Sequence, residues 1–205
     1  MMKQTIVAVA ALAASLAFMG NTRAQTQVGQ PAPQFSAVDT AGKAVSLADF
    51  KGKYVVLEWT NPDCPFVQKH YNSGNMQATQ KHAAGKGVVW LSVNTTGGAP
   101  DPKLSAELAS WVKAQKATPA ALLMDNGKLG QSFGAKTTPH MYLVDPSGKL
   151  VYAGAIDSKP SANAGDIASS TNYVKQAIDE TAAGKPVSKP VTGAYGCSVK
   201  YASAG

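Results

Sequence analysis

The fold is indicated by residues 54–67, which read YVVLEWTNPDCPFV. The first six are mostly β-branched, aliphatic or aromatic, and such an apolar run is typical of a buried strand. A turn-forming cluster follows, and Pro65 suits the first position of a helix. The segment therefore predicts a buried strand that turns sharply into a helix, with Cys64 at the N-terminus of that helix.

A cysteine at the N-terminus of a helix has distinctive chemistry. The free N–H groups and the helix dipole favour an anion there, so the thiol pKa falls and the thiolate becomes more populated. We therefore expect Cys64 to be a redox-active thiol that is alkylated faster than Cys197. The alternative is a buried, inert cysteine that only packs the core.

Apolar strands and helical stretches alternate along the rest of the chain. This alternation predicts an α/β fold with a mixed central sheet flanked by helices, because parallel strands need crossover helices and the last two strands form a hairpin. A C-terminal helix and a tail extension follow. The elements predicted from Cys64 onward are a helix to about Ala84, strand 88–93, helix 103–116, strand 120–124, helix 126–133, strand 141–144, strand 150–155 and helix 167–183.

The first 24 residues read as a signal peptide. Lys3 precedes the apolar run 6–19, and small residues lead to a cleavage site near Ala24. The run is shorter than the roughly 20 residues that span a bilayer, so we expect no stable membrane insertion. The chain is then predicted to be periplasmic. It divides into residues 1–24, a main α/β domain at 25–158, and a C-terminal helix with a Cys-containing tail at 159–205, packed on that domain.

The charge and the cysteine content of the chain narrow the range of functions that it can have. The chain has 19 Lys and Arg against 12 Asp and Glu, and its lysines are scattered. Arg23 is the only arginine, so nucleic-acid binding is not expected. The two cysteines, Cys64 and Cys197, favour a disulfide in an oxidising compartment.

Residues 28–157 resemble the thioredoxin superfamily, specifically the redoxin branch that contains alkyl hydroperoxide reductases and thiol-specific antioxidant proteins. The resemblance rests on the opening 29–35, on Leu47 with 50–53, and on 139–148. In that family a cis-proline loop lies against the active-site cysteine. The resemblance therefore implies that Thr138, Pro139 and His140 lie beside Cys64. Together with the neighbours of Cys64 along the chain, the predicted supporting residues are Thr60, Asn61, Pro62, Asp63, Pro65, Thr138, Pro139 and His140.

The sequence departs from the family pattern at the residues that carry out the family's chemistry. Cys64 matches the first cysteine of a thioredoxin C-x-x-C motif, and Val67 holds the second position. A peroxiredoxin has its peroxidatic cysteine at that second position, with Thr three residues and Pro seven residues earlier, where this chain has Cys64 and Thr60. The chain is thus similar to a peroxiredoxin-like group that lacks the peroxidase triad, and its tail 196–201 resembles the ends of proteins in that group.

These features predict a thiol-dependent oxidoreductase that uses Cys64, with Cys197 as its partner. The expected chemistry is thiol–disulfide exchange or weak peroxide reduction, on a thiol or disulfide protein, a small thiol or a peroxide. No cofactor is expected, and no metal, because Val67 and Gln68 supply no second soft ligand beside Cys64. His140 is either an acid–base group near Cys64 or a packing residue. The alternative function is a non-catalytic binding or chaperone-like protein with a structural Cys64–Cys197 pair.

Overall fold

The computed structural model describes residues 27–99 and 101–202, so the predicted signal peptide lies outside the described residues. The strands are β1 (Ser36–Asp39), β2 (Ala44–Ser46), β3 (Val55–Trp59), β4 (Val89–Thr95), β5 (Ala121–Asp125), β6 (Thr137–Thr138), β7 (His140–Val144), β8 (Leu150–Gly154) and β9 (Cys197–Ser198). The α-helices are α1 (Pro65–Asn72), α2 (Asn75–Gly85), α3 (Pro102–Ala114), α4 (Lys128–Phe133) and α5 (Tyr173–Ala182).

A seven-stranded mixed sheet forms the centre of the molecule, in the order β2-β1-β5-β4-β3-β7-β8. Strand β3 runs parallel to β4 and antiparallel to β7, and all five of its residues are buried. Its alternating side chains reach both faces: Leu57 and Trp59 pack into the core beneath α4, and Val56 packs into the core beneath α1, α2 and α5. The predicted fold class, a mixed sheet flanked by helices, is confirmed.

Two predicted helices differ from those observed. The helix after Cys64 is broken into α1 and α2 at Gly74, whose φ of 76° is left-handed and precedes a fresh helical start. The C-terminal helix begins at Tyr173 rather than 167, because residues Ala164–Ser169 form a separate 3₁₀ helix. Asn172 caps the true start, since its side chain accepts a hydrogen bond from Lys175 N at 2.9 Å.

The C-terminal tail is held against the domain by hydrogen bonds at several points. The N–H of Thr192 donates to Ala153 O at 3.1 Å, and the N–H of Val199 donates to Lys136 O at 3.0 Å. Strand β9 pairs antiparallel with β6, which precedes the central strand β7. The tail therefore runs across the end of the sheet where β3 passes into α1. Within the described ranges, no helix has the length and apolar character needed to cross a membrane.

Candidate active site

Cys64 is the N-cap of α1, as the sequence predicts. The turn before it is fixed by its own polar groups: Asn61 O accepts from Cys64 N at 3.0 Å, and Asn61 Oδ1 accepts from Asp63 N at 3.0 Å. Gln68 Nε2 donates back to Pro62 O at 2.9 Å. The turn residues thus set the geometry of the cysteine rather than supplying reacting groups.

The proline loop lies directly against Cys64. The Thr138–Pro139 bond is cis, and the Cys64 thiol donates to Thr138 O across 3.0 Å. Only 1% of Cys64 is exposed, and it belongs to the apolar cluster that contains Val67 and Met141. The loop and the cluster therefore cover the sulfur on its inner sides.

Cys197 completes the site from the tail. It pairs with Thr138 in the β6–β9 ladder, and the Thr138 hydroxyl lies 3.5 Å from Cys197 O. Cys197 packs against the apolar cluster that contains Cys64, and the two thiols interact electrostatically. Both cysteines are free thiols, and Cys197 is partly exposed where Cys64 is buried. The structure thus brings together two cysteines that are distant in the sequence.

The two thiols differ in acidity. Burial raises the pKa of Cys64, but hydrogen bonds from the Cys197 thiol, the Thr138 hydroxyl and the N–H groups of Cys197 and Val67 outweigh it, so the net pKa is lowered. Burial, the hydrogen bond to Cys64 and the negative charge of that sulfur raise the pKa of Cys197 to about 11. When the pair carries one charge, that charge resides on Cys64.

Gly196 allows the tail to approach the proline loop. Its φ is 138°, and a Cβ built there would lie 2.0 Å from Thr138 O. A real Cβ cannot occupy that position, so only glycine permits the ladder that sets Cys197 beside Thr138. No role for Gly196 was predicted from the sequence, although a glycine directly before a candidate cysteine can signal a close approach of two backbones.

A buried polar cluster fastens the tail to α1. Lys69 Nζ lies 3.3 Å from Asp157 Oδ2, with both side chains fully buried. The Tyr195 hydroxyl donates to Asp157 Oδ1, and His70 Nε2 lies 3.3 Å from the same hydroxyl. The Tyr195 ring packs edge-on against Phe66, with centroids 5.9 Å apart. This cluster holds the tail two residues away from Cys197.

This cluster could not be predicted from the sequence, because its partners are far apart along the chain. Lys69 and Asp157 are separated by 88 positions, and nothing in their local patterns pairs them. His70 is also buried, and burial lowers its pKa to about 4 although the charge of Asp157 opposes the shift. His82 is partly buried and bonds Asp179 at 2.9 Å.

The change Asp157→Asn is expected to destabilise the protein by about 3–5 kcal/mol, because it leaves the buried Lys69 ammonium without its counter-charge. Urea unfolding followed by circular dichroism measures this loss. Asp179→Asn is the matched control, since it removes a half-exposed carboxylate and should change the free energy of unfolding by less than about 1 kcal/mol. Equal effects of the two substitutions would contradict the buried ion pair.

His140 lies on the opposite face of the sheet from Cys64. Its ring stacks on Tyr142 with centroids 4.5 Å apart, and its Nδ1 accepts from Lys136 N at 3.2 Å. Tyr142 belongs to the core beneath α4, while Cys64 belongs to the core beneath α1. These contacts support the packing role for His140 rather than the acid–base role.

The buried histidines predict a loss of stability in acid. Burial and the charge of Lys136 lower the pKa of His140 to about 4, below the usual 6.5. The native state therefore favours the neutral ring, and its contribution is complete above pH 6.5 and falls as the pH drops toward 4. We expect His140 to account for about 3 kcal/mol of that loss.

Thermal unfolding at pH 7 and pH 4.5 checks this expectation. His140→Gln retains an acceptor for Lys136 N–H but cannot titrate, so it should lose less stability between the two pH values than the unmodified protein. An identical pH dependence in both proteins would show that His140 does not carry the effect.

A second buried acid lies near the site on the α1 face of the sheet. Glu58 of β3 accepts from Tyr71 OH and Trp90 Nε1, each at 2.8 Å, and from Ser92 Oγ at 3.0 Å. Burial raises its pKa, and the hydrogen bonds oppose that shift. Thr60, two residues later, is also buried, and its carbonyl accepts from Asn94 Nδ2 at 2.9 Å. Both residues belong to the structural support beneath the turn.

No group of three His, Cys, Asp or Glu side chains that could hold a metal ion occurs in the part of the chain that the structure describes. The chemistry available at the site is that of two thiols in contact. Two thiols can be oxidised to a disulfide, and that disulfide can exchange with external thiols.

The sheet order, the N-cap cysteine and the cis-proline loop define a protein of the thioredoxin-like class. The AhpC/TSA family model matches residues 28–153, and the chain belongs to that family. The resemblance to the redoxin branch is therefore confirmed.

Known proteins agree with this assignment. The chain is 25% identical over 125 residues to the thiol-disulfide oxidoreductase ResA of Bacillus thuringiensis, covering 61% of this chain and 68% of that protein. A hypothetical protein of Sinorhizobium meliloti has a similar structure, with a TM-score of 0.72 and 23% identity, covering 88% of this chain and 97% of that chain. The thioredoxin domain of a thiol-disulfide oxidoreductase from Bacteroides vulgatus gives a TM-score of 0.50 and 26% identity, covering 63% and 89%. The chain is therefore similar to thiol–disulfide oxidoreductases.

Proposed function

We propose that this protein catalyses thiol–disulfide exchange with Cys64 and Cys197 as its redox pair. The observation that carries the proposal is the contact between the two thiols, set by the β6–β9 ladder. Cys197 supplies the second sulfur that a C-x-x-C motif would provide at the position of Val67. The similarity to thiol–disulfide oxidoreductases supports the same reaction class.

A catalysed exchange assay tests this proposal. A small amount of protein is added to a dithiol peptide and glutathione disulfide, and formation of the peptide disulfide is followed by chromatography. We expect acceleration by the unmodified protein and a loss of that acceleration in Cys197→Ser. A protein that leaves the uncatalysed rate unchanged would favour the alternative function, a binding or chaperone-like protein with a structural cysteine pair.

Peroxide reduction is expected to be slow. Cys64 is 1% exposed, and the peroxiredoxin positions for the peroxidatic cysteine and its threonine hold Val67 and Cys64 instead. The missing threonine is a donor to the developing charge, and the loss of one such donor typically costs about 100- to 1,000-fold in rate. Competition kinetics with hydrogen peroxide should place the rate constant orders of magnitude below that of a true peroxiredoxin, and a comparable constant would contradict this assignment.

The proposed compartment is the periplasm, where the oxidising environment allows a pair of cysteines to form a disulfide. The support is the signal-peptide pattern from Lys3 to Ala24. We also propose that 25–158 is the redoxin domain and that 159–205 belongs to it functionally, because Cys197 lies in that segment. Mass spectrometry of the protein from a cell envelope should find an N-terminus near Gln25, and a retained Met1 would contradict export by cleavage.

A further inference from the structure

The two cysteines differ in their exposure to solvent, and this difference bears on which sulfur reacts first. Cys64 is 1% exposed, whereas Cys197 is partly exposed on the tail. In a thioredoxin-type C-x-x-C motif the sulfur at the helix N-terminus is expected to meet the substrate. Here the tail lies over that sulfur.

The burial of the Cys64 sulfur beneath the tail decides which sulfur a substrate can attack. A thiolate attacks a disulfide sulfur through a mixed-disulfide intermediate, and the outcome depends on which sulfur is accessible and which thiol leaves. The attacking sulfur approaches in line, from the side opposite the leaving sulfur. Around Cys64, Thr138 O lies 3.0 Å from the sulfur and Val67 packs in the same apolar cluster. Because only 1% of Cys64 is exposed, an incoming thiolate has no open path to its sulfur. Cys197 is partly exposed, so a substrate thiolate can approach it from solvent.

We propose that Cys197, and not the helix-capping Cys64, is the sulfur that substrate thiols attack, and that Cys64 is the leaving group. This inference rests on the proposed function and specifies how its redox pair works. A substrate thiolate attacks Sγ of Cys197 and forms a new S–S bond. The Cys64–Cys197 bond breaks, and its electron pair goes to Sγ of Cys64, which leaves as a thiolate.

The second half of the reaction restores the reduced protein. A second thiolate of the substrate attacks the substrate sulfur of the mixed disulfide, and the bond to Cys197 breaks. Cys197 takes the electron pair and a proton from solvent. The substrate dithiol is thereby oxidised to a disulfide, and the protein disulfide is reduced to the Cys64 thiolate and the Cys197 thiol. The class of substrate that fits is a dithiol peptide or protein.

The environment of Cys64 suits a leaving thiolate. Hydrogen bonds from the Thr138 hydroxyl and from the N–H groups of Cys197 and Val67 stabilise its negative charge, and its net pKa is lowered although burial opposes this. A leaving thiol of lower pKa departs faster. The raised pKa of Cys197, about 11, keeps that thiol protonated after release.

The first test maps the site of the mixed disulfide. The oxidised full chain is mixed with reduced glutathione, quenched at successive times with N-ethylmaleimide, and digested for mass spectrometry. We expect the earliest glutathione adduct on the peptide that contains Cys197, with N-ethylmaleimide on Cys64. An earliest adduct on Cys64 would overturn the inference and leave the proposed function standing. An oxidised protein without a Cys64–Cys197 disulfide, or one that forms no adduct, would overturn both.

A second measurement uses Thr138→Val, which removes the hydroxyl and retains the shape of the side chain. If Cys64 is the leaving group, the loss of one hydrogen bond to its charge should slow opening of the disulfide by glutathione about tenfold. If Cys64 is instead the attacked sulfur, its charge does not develop in that step and the rate should not change. An unchanged rate therefore counts against the inference.

Discussion

Replacing Cys64 with serine is expected to reduce thiol–disulfide exchange to the uncatalysed rate while the fold is retained. Serine is a favoured N-cap residue and is close in size to cysteine, so α1 should begin at the same point. The oxygen cannot form a disulfide, and Cys197 is left without its partner. The exchange assay with a dithiol peptide measures the activity, and thermal unfolding of the variant confirms that it folds.

The comparison with Cys197→Ser separates the roles of the two sulfurs. That variant should also lose catalysed exchange, because Cys64 keeps no partner and remains covered by the tail. A Cys64→Ser protein that still turns over at the unmodified rate would exclude Cys64 from the reaction. It would also exclude the disulfide between the two residues as the reacting species.

The substitution Gly196→Ala is expected to slow disulfide formation between Cys64 and Cys197 strongly. The added Cβ would lie 2.0 Å from Thr138 O, and the φ of 138° disfavours any residue with a side chain. The tail must then move off the proline loop and carry Cys197 away from Cys64. Because a displacement of about 1 Å can cost about 100-fold in rate, disulfide formation between the two cysteines should slow by a similar factor.

Gly193→Ala is the matched control in the same tail. A Cβ at Gly193 meets nothing within 4 Å, so the substitution should leave the rate of disulfide formation unchanged. The rate is measured by quenching the reduced proteins with N-ethylmaleimide during oxidation by glutathione disulfide. If both alanine variants oxidise at the same rate, the close approach at Gly196 does not position Cys197.

Much of the fold could be predicted from the sequence because strong local signals agree with the tertiary structure. The apolar run that becomes β3, the turn after it and Pro65 together place Cys64 correctly at the N-cap of α1. The helix breaks were missed because their signals are weak: a single Gly74 in a helical pattern, and an Asn172 cap between two short helices.

The two cysteines of the site could be predicted from the sequence, but the geometry that brings them together could not. Pairing of Cys64 with Cys197 was expected only from the cysteine count and the compartment. The geometry that joins them depends on β9, a strand of two residues, and on Tyr195 and Gly196. A strand so short has no periodic pattern of its own, and its partner strand is recognisable only once the chain has folded.

The structure also separates two properties that the sequence analysis assigned to one sulfur. The helix N-terminus predicts an acidic, fast-reacting Cys64, and the lowered pKa agrees with the acidity. Reactivity also needs access, and Cys64 is 1% exposed beneath the tail. Burial by a distant segment is a tertiary effect, so a local motif could not reveal it. The faster alkylation expected of Cys64 therefore stays a prediction. The burial of Cys64 and the partial exposure of Cys197 argue against it.

The central claim is that Cys64 and Cys197 form and exchange an intramolecular disulfide, and peptide mapping tests it most directly. The unmodified protein is equilibrated in glutathione buffers of increasing oxidised fraction, blocked with N-ethylmaleimide and digested without reductant. We predict a linked pair of peptides, one with Cys64 and one with Cys197, that appears in the monomer with oxidation and disappears with dithiothreitol. Two cysteines that remain fully alkylated in the most oxidising buffer, or that link only between molecules, would contradict the account.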